Sequence, residues 1–341
     1  MIIFITTDPG STTLFYGLSL YFLKNGLKTI CIYDPIIILE KKYFTKTIIL
    51  QKSYLKKFDK IFSSSKLFVF GLSSKNYILC NYIHKIATEK KTPIFFYQDY
   101  WGFFGHFKQK INCTKFLVLD NYAKKLVREN KKFKKLSLEV IGSSKYFKYD
   151  ENYQINKNKN LNVYFLQPVY LKSTLENFLI FINFFSKKKI DEKIYLKIHP
   201  LEKKENIIKI EKLISNYSFI YLINERKTNK ILSNASVIYN SFSTVAFDAY
   251  LLNINKKLNI KIVNLLIGKN IINDIKKLGF NYKFLPQFKF GINIYNLNQL
   301  DDFFYKGIKK NIILKKLTYN DNHSKLFIQK ADKLFKKLRI I

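Results

Sequence analysis

Apolar runs of five or six residues recur along the chain, each closed by a polar stop and followed by a stretch with helical spacing. Runs of that length, bounded by turn residues and alternating with helical patterns, predict buried parallel strands in an α/β protein. In the first half, strands are expected at 2–6, 28–33, 67–71, 93–98, 115–119 and 138–141, with helices at 12–25, 53–62, 75–90 and 121–130. Gly26 stands where a positive φ ends the first helix. In the second half, strands are expected at 161–166, 194–198, 219–223, 236–240 and 261–266. Helices are expected at 174–188, 205–215, 225–234, 244–253 and 298–310, with a last one at 323–338.

A polar stretch at 144–160, rich in Lys, Asn and Tyr, interrupts the alternation and reads as a linker. At 341 residues, two domains are the expectation. The pattern assigns 1–150 to an N-terminal Rossmann-like domain and 151–320 to a second one. Residues 321–341 follow as a C-terminal helix. Two such domains facing each other would leave an interdomain cleft for two substrates.

Three strand ends in the second half carry polar groups: Gln167-Pro168, His199-Pro200 and Ser241-Phe242-Ser243-Thr244. The carboxyl ends of parallel strands line one crevice, so an amide, an imidazole and hydroxyls are expected to face one ligand. His199 can hydrogen-bond a phosphate, with Pro200 fixing the turn. Ser241, Ser243 and Thr244 lead into an apolar helix, where hydroxyls and N–H groups either bind an anion or simply cap the helix. Gln167 can reach a base or sugar. Glu225 can accept from ribose or cap the next helix. In the first half, Asp99 ends a strand beside Trp101, where a carboxylate can take an acceptor's proton and the indole can stack on a sugar, or the Asp can close a turn. Asp8, Ser11 and Thr12, in the first strand-to-helix loop, can hold an acceptor, although no GxGxxG or P-loop pattern is present.

Composition changes this picture little. The formal charge of +36 suggests anionic partners, but nearly all of it is Lys, with Arg only at 128, 226 and 339. Lys, Ile, Asn, Phe and Tyr are together enriched as in an AT-rich genome, and a nucleic-acid reader would favour the bidentate guanidinium. A non-enzymatic binder of nucleic acid or anionic surfaces is therefore the alternative of another class. The charge is expected to attract sugar nucleotides, anionic glycans and the inner membrane surface, where peripheral contact is anticipated. Cys31, Cys80 and Cys113 have no paired spacing, which fits a reducing cytoplasm. The first residues read as a strand rather than a signal peptide, and no run reaches the roughly 18 residues of a membrane span. There is no Asp-x-Asp at a strand end, no metal-ligating cluster and no Gly-x-Ser-x-Gly elbow, so neither a metal nor another cofactor is expected. Asp301-Asp302 reads as part of a helix.

The order of strand–Gln-Pro, strand–His-Pro and strand–Ser/Thr cluster–helix resembles bacterial CMP-sugar glycosyltransferases of GT-B type, namely lipooligosaccharide sialyltransferases, polysialyltransferases and capsular Kdo transferases. The resemblance implies that His199, Ser241, Ser243 and Thr244 bind the CMP phosphate. It further implies metal-independent transfer of an acidic sugar from a CMP-sugar to a glycan or glycolipid. Asp99 matches the general base of an acid-Asp-Gly motif, though here Gln98 replaces the acid and Gly102 is displaced. The segment 320–324 resembles the start of the final crossing helix. CDP-glycerol phosphotransferases, which carry a second early His for which His106 rather than His84 could stand, and UDP-sugar transferases or epimerases are the nearest alternatives.

Overall fold

The computed structural model describes residues 1–51, 61–72, 77–101, 111–145, 161–168, 172–200, 202–225, 227–256, 258–277, 290–305 and 323–341. The chain divides into two compact units: Met1–Asn152 with Asn322–Ile341, and Tyr153–Asp321.

Unit 1 holds seven parallel strands: β1 (Ile2–Thr6), β2 (Thr29–Tyr33), β3 (Lys46–Ile49), β4 (Leu67–Gly71), β5 (Ile94–Tyr97), β6 (Lys115–Val118) and β7 (Leu138–Val140), in the order β3-β2-β1-β4-β5-β6-β7. Helices α1 (Pro9–Lys24), α2 (Tyr77–Glu89) and α3 (Asn121–Glu129) connect strands, and α10 (His323–Lys337) is the last element. Every residue of β1, β2, β4 and β5 is buried, as parallel strands covered on both faces require. Asp8 caps α1 by accepting from the Gly10 N–H at 2.8 Å, and Pro9 occupies the first turn. The helix ends at Gly26, with φ +74°. There the Gly26 N–H donates to Leu23 O and the Leu27 N–H to Phe22 O, both at 3.0 Å. Helix α10 packs Phe335 against Phe22 and Phe95, at 4.7 and 5.9 Å between ring centroids, and Tyr21 donates to Asp332 at 2.6 Å.

Unit 2 holds six parallel strands: β8 (Leu161–Phe165), β9 (Ile194–Lys197), β10 (Ile220–Leu222), β11 (Ala235–Asn240), β12 (Lys261–Leu265) and β13 (Ile292–Ile294), in the order β10-β9-β8-β11-β12-β13. Its helices are α4 (Lys172–Lys188), α5 (Lys204–Ile214), α6 (Thr228–Asn234), α7 (Val245–Lys256), α8 (Ile271–Lys277) and α9 (Leu297–Tyr305). Phe178, Phe181, Ile182 and Phe185 repeat at helical spacing on α4 and pack against Tyr164 and Tyr239 of the central strands. Both sheets have the doubly wound order, with the strand order reversing between β1 and β4 and between β8 and β11 while all strands stay parallel.

Two strands were not expected from the pattern, β3 and β13. Both lie at sheet edges and are short, and β3 is exposed at both ends, so neither carries the apolar run that marks an interior strand. Helix α8, seven residues long, was likewise not expected. Most of the expected linker and of the helix at 53–62 lies outside the described residues, as do His106 and 320–322. The linker's first residues, Ser144 and Lys145, are buried rather than solvated, at 0% and 5% exposure.

Candidate functional site

In unit 2, β8 lies between β9 and β11, and the register sets Phe165 beside Lys197 on one side and Asn240 on the other. Gln167, His199 and residues 241–244 therefore all follow one row across three adjacent strands, at the same sheet end. Strands about 4.8 Å apart separate the ends of β9 and β11 by about 10 Å. The strand order reverses between the ends that bear Gln167 and Ser241, where doubly wound sheets bind ligands. His199 is one strand out, partly exposed, and its carbonyl accepts from the Glu202 N–H at 3.0 Å in the turn made with exposed Pro200.

Three amide side chains hold the 241–244 loop. Gln167 Oε1 accepts from the Phe242 N–H at 2.9 Å, and Asn240 Oδ1 accepts from the Ser243 N–H at 3.0 Å. Asn177 on α4 donates to Ser241 Oγ at 2.9 Å and accepts from the Gly268 N–H at 2.6 Å. Gln167 and Ser241 thus shape the loop. Ser243 and Thr244 are its partly exposed members, and Ser243 Oγ accepts from the Val245 N–H at 3.3 Å at the start of α7. A capped, twelve-residue helix with hydroxyls at its N-terminus retains the polarity that favours an anion.

Behind the loop runs a ladder of asparagines that sequence reasoning missed. Asn240 Nδ2 donates to Asn264 Oδ1 at 3.0 Å, and Asn264 Nδ2 donates to Asn293 Oδ1 at 2.9 Å, across the paired positions of β11, β12 and β13. Asn240 and Asn264 are 0% exposed, a cost that only such pairing offsets. The ladder fixes which way each amide faces, and so presents Asn240 Oδ1 to the Ser243 N–H.

Glu225 follows β10 at the sheet edge. Its carboxylate accepts from the Lys227 N–H at 3.0 Å and pairs with Lys230 at 2.8 Å, serving the turn into α6.

In unit 1, Asp8 follows β1 and Asp99 follows β5, and both carboxylates converge on Gly10. A Cβ added there would stand 2.0 Å from Asp99 Oδ2 and 3.2 Å from Asp8 Oδ1. Gly71 allows a second close approach, since a Cβ there would meet Ser11 Oγ at 2.3 Å. Together the two glycines let the positive end of α1 settle on the sheet, beside two carboxylates. Ser11 and Thr12 do not face a ligand. They are 0% and 2% exposed, bond Thr6 Oγ1 at 2.8 and 2.9 Å, and both donate to Asp8 O.

Trp101 is also not a stacking surface. It is 0% exposed and donates to Asp120 Oδ2 at 2.7 Å, while Asp120 Oδ1 caps α3. The turn after β7 is tied down by Tyr97, whose hydroxyl donates to Gly142 O at 2.8 Å and accepts from the Ser144 N–H at 3.0 Å. His84 is buried on α2 among Phe70 and Phe96, with Nε2 at 2.6 Å from Asn112 O. Asp301 and Asp302 lie within α9, where Asp301 pairs with Lys188.

Among the described residues no group of three or more His, Cys, Asp or Glu is placed to hold a metal ion, and no helix is long and apolar enough to cross a membrane.

Two doubly wound parallel sheets, each with polar groups at the carboxyl ends of its strands, define an α/β protein with two Rossmann-like units, the GT-B type of fold. Solved structures share it over nearly their full length at low identity. HepE from Anabaena in complex with UDP-glucose covers 98% of this chain and 99% of its own, at 11% identity and a TM-score of 0.60. A putative UDP-N-acetylglucosamine 2-epimerase from Listeria monocytogenes covers 98% and 96%, at 10% identity and 0.56. The UDP-GlcNAc 2-epimerase from Neisseria meningitidis bound to UDP-GlcNAc covers 97% and 99%, at 12% and 0.54. No family model and no curated protein matches the chain.

Proposed function

We propose that the protein is a glycosyltransferase that uses a UDP-sugar, with unit 2 holding the nucleotide and unit 1 the acceptor. The observation that carries this reading is the single row 165–197–240, which aligns Gln167 and the Ser243 and Thr244 hydroxyls at the strand-order reversal with His199 one strand away. The motif order pointed to a CMP-sugar. Uridine is preferred because HepE and the Neisseria enzyme, which share the fold along the chain, are seen with UDP-glucose and UDP-GlcNAc.

In the proposed reaction, Asp99 takes the proton of an acceptor hydroxyl as its oxygen attacks the anomeric carbon. The bond from that carbon to the diphosphate breaks, and its electron pair goes to the leaving UDP. His199 and the hydroxyls at the start of α7 donate to the charge that develops there. These donors need no metal, so activity is expected to survive chelation by EDTA. Epimerisation of a UDP-sugar is the second reading, favoured by the fold shared with two UDP-GlcNAc 2-epimerases.

Thermal unfolding with UDP, CDP and CMP tests the donor. UDP is expected to raise Tm most, because binding to the native state adds stability in proportion to ln(1 + [L]/Kd). His199→Ala is expected to reduce that shift and to lower turnover by about a hundredfold, the effect of one lost transition-state donor. Stabilisation by CMP alone returns the donor to cytidine, and no stabilisation by any nucleotide refutes the reading. An epimerised sugar nucleotide, rather than free UDP and a glycoside, identifies the second reading.

A further inference from the structure

The connection after β2 exposes apolar side chains on a braced loop. Asp34, 4% exposed, closes its first turn: Oδ1 accepts from the Ile36 N–H and the carbonyl from the Ile37 N–H, each at 2.9 Å. At the far end, the Tyr16 hydroxyl of α1 accepts from the Glu40 N–H at 2.8 Å. Between these ties Ile37 enters the core at 5% exposure, while Ile36 and Ile38 are turned out at 52% and 56%. Ile49, the last residue of β3, pairs with Tyr33 at the end of β2 and is 37% exposed. It adds a third β-branched side chain at the same corner. Single exposed hydrophobics are ordinary, but two on a fixed loop and a third at the end of the neighbouring strand call for a partner.

The charge beside them names the partner's chemistry. Lys41 and Lys42 follow directly and are exposed. Of the nearby acids, Asp34 is buried, whereas Glu40 pairs with the exposed Lys42 at 3.6 Å, a surface pair that a lipid phosphate can replace. The whole chain carries +36. The geometry points to this corner as a seat on an anionic bilayer surface, with Ile36, Ile38 and Ile49 entering the headgroup–acyl boundary and Lys41 and Lys42 meeting lipid phosphates. Apolar side chains beside lysines are what interfacial binding uses. A two-fold pairing of two copies through this corner would set like lysines against each other. A nucleic acid would make no use of three isoleucines.

The corner lies at the carboxyl edge of the sheet, one strand from the loop that bears Asp8. An acceptor anchored in the same bilayer would arrive at that edge. This corollary rests on the transferase reading, whereas the docking does not.

Co-sedimentation of the full chain with vesicles of phosphatidylcholine, with and without about a third phosphatidylglycerol, tests the seat. The protein is expected to bind the anionic vesicles, weakening with salt yet retaining a salt-resistant component. Ile36→Ser with Ile38→Ser is expected to weaken binding by about tenfold or more, with Tm unchanged because both side chains are exposed. Lys41→Glu with Lys42→Glu removes about fivefold per lysine, mostly at low salt. Ile78→Ser, on α2 and 66% exposed, is expected to change nothing. The inference is overturned if the protein ignores anionic vesicles or if the double serine variant binds like the parent. It is also overturned if that variant loses a self-associated state in sedimentation velocity, which would give the corner to a second copy. The UDP-induced shift in Tm is independent of this corner, so failure here and failure of the transferase reading are separable.

Discussion

Replacing Gly10 with alanine separates the chemistry of unit 1 from its stability. Cβ atoms do not come within 3.0 Å of another group, and at Gly10 one would stand 2.0 Å from Asp99 Oδ2. The carboxylate must therefore withdraw by about 1 Å, a misplacement that costs on the order of a hundredfold in rate when the group is the proton acceptor. The fold gives way more easily than the reaction does. Gly10 is the second residue of α1 and has no positive φ, so alanine gains up to about 1 kcal/mol of helix propensity against the cost of moving one short side chain. Tm is expected to move by no more than about 4 °C.

The assay is transfer from a UDP-sugar to an acceptor found by glycan-array screening, followed as UDP release above the acceptor-free background. Gly10→Ala should lower kcat by about a hundredfold and leave the UDP-induced shift in Tm unchanged, since the proposed nucleotide site is built from unit 2 alone. Asp99→Asn should lose at least as much. The double variant should lose little more than Asp99→Asn alone, because a base already removed cannot be displaced. A folded Gly10→Ala variant within about threefold of the parent, or losses that multiply in the double variant, would refute Asp99 as the acceptor of the proton.

Two further outcomes follow from buried groups. Asn264→Leu strips the ladder of its middle rung, removing the bonds that link Asn240 and Asn293 through it. It is expected to cost about 2–3 kcal/mol, read as a lower urea midpoint at unchanged m, and to weaken UDP binding as the Ser243 backbone loosens; an unchanged midpoint would count against the ladder. Burial raises the Cys80 thiol to about 12 and holds the Cys31 thiol and the Tyr164 and Tyr239 hydroxyls well above their ordinary values. The folded state thus keeps protons that the unfolded chain releases, so stability is full below about pH 9 and falls above it, by up to about 1.4 kcal/mol per pH unit for each group. Urea titrations at pH 8 and pH 10 check this, and equal midpoints would contradict it.

The interior strands were legible because burial on both faces writes an unbroken apolar run, as at Ile2–Thr6 and Leu67–Gly71, where expected and observed bounds coincide. Of the four edge strands, β7 and β10 were found, while β3 and β13, which lack an apolar run, stayed hidden. The site divides along a similar line. His199 and the 241–244 hydroxyls stand at strand ends, which period and punctuation locate. Asn177, Asn240 and Asn264 lie inside elements, and their pairing depends on a register that sequence spacing does not encode. Trp101 was misread because an indole looks alike in sequence whether it stacks on a sugar or donates to Asp120. The role of Gly10 lies in a contact with position 99, which sequence spacing does not encode.

The return of residues 322–341 to unit 1 bears on biosynthesis. Phe22 and Phe95 await Phe335, which is translated only after unit 2. All of unit 2 is translated in the interval, so its sheet can close while the earlier-made unit still presents bare aromatic surface. A chain cut short before residues 322–341 would thus leave that surface uncovered in the unit made first, the kind of exposure that invites aggregation and chaperone capture.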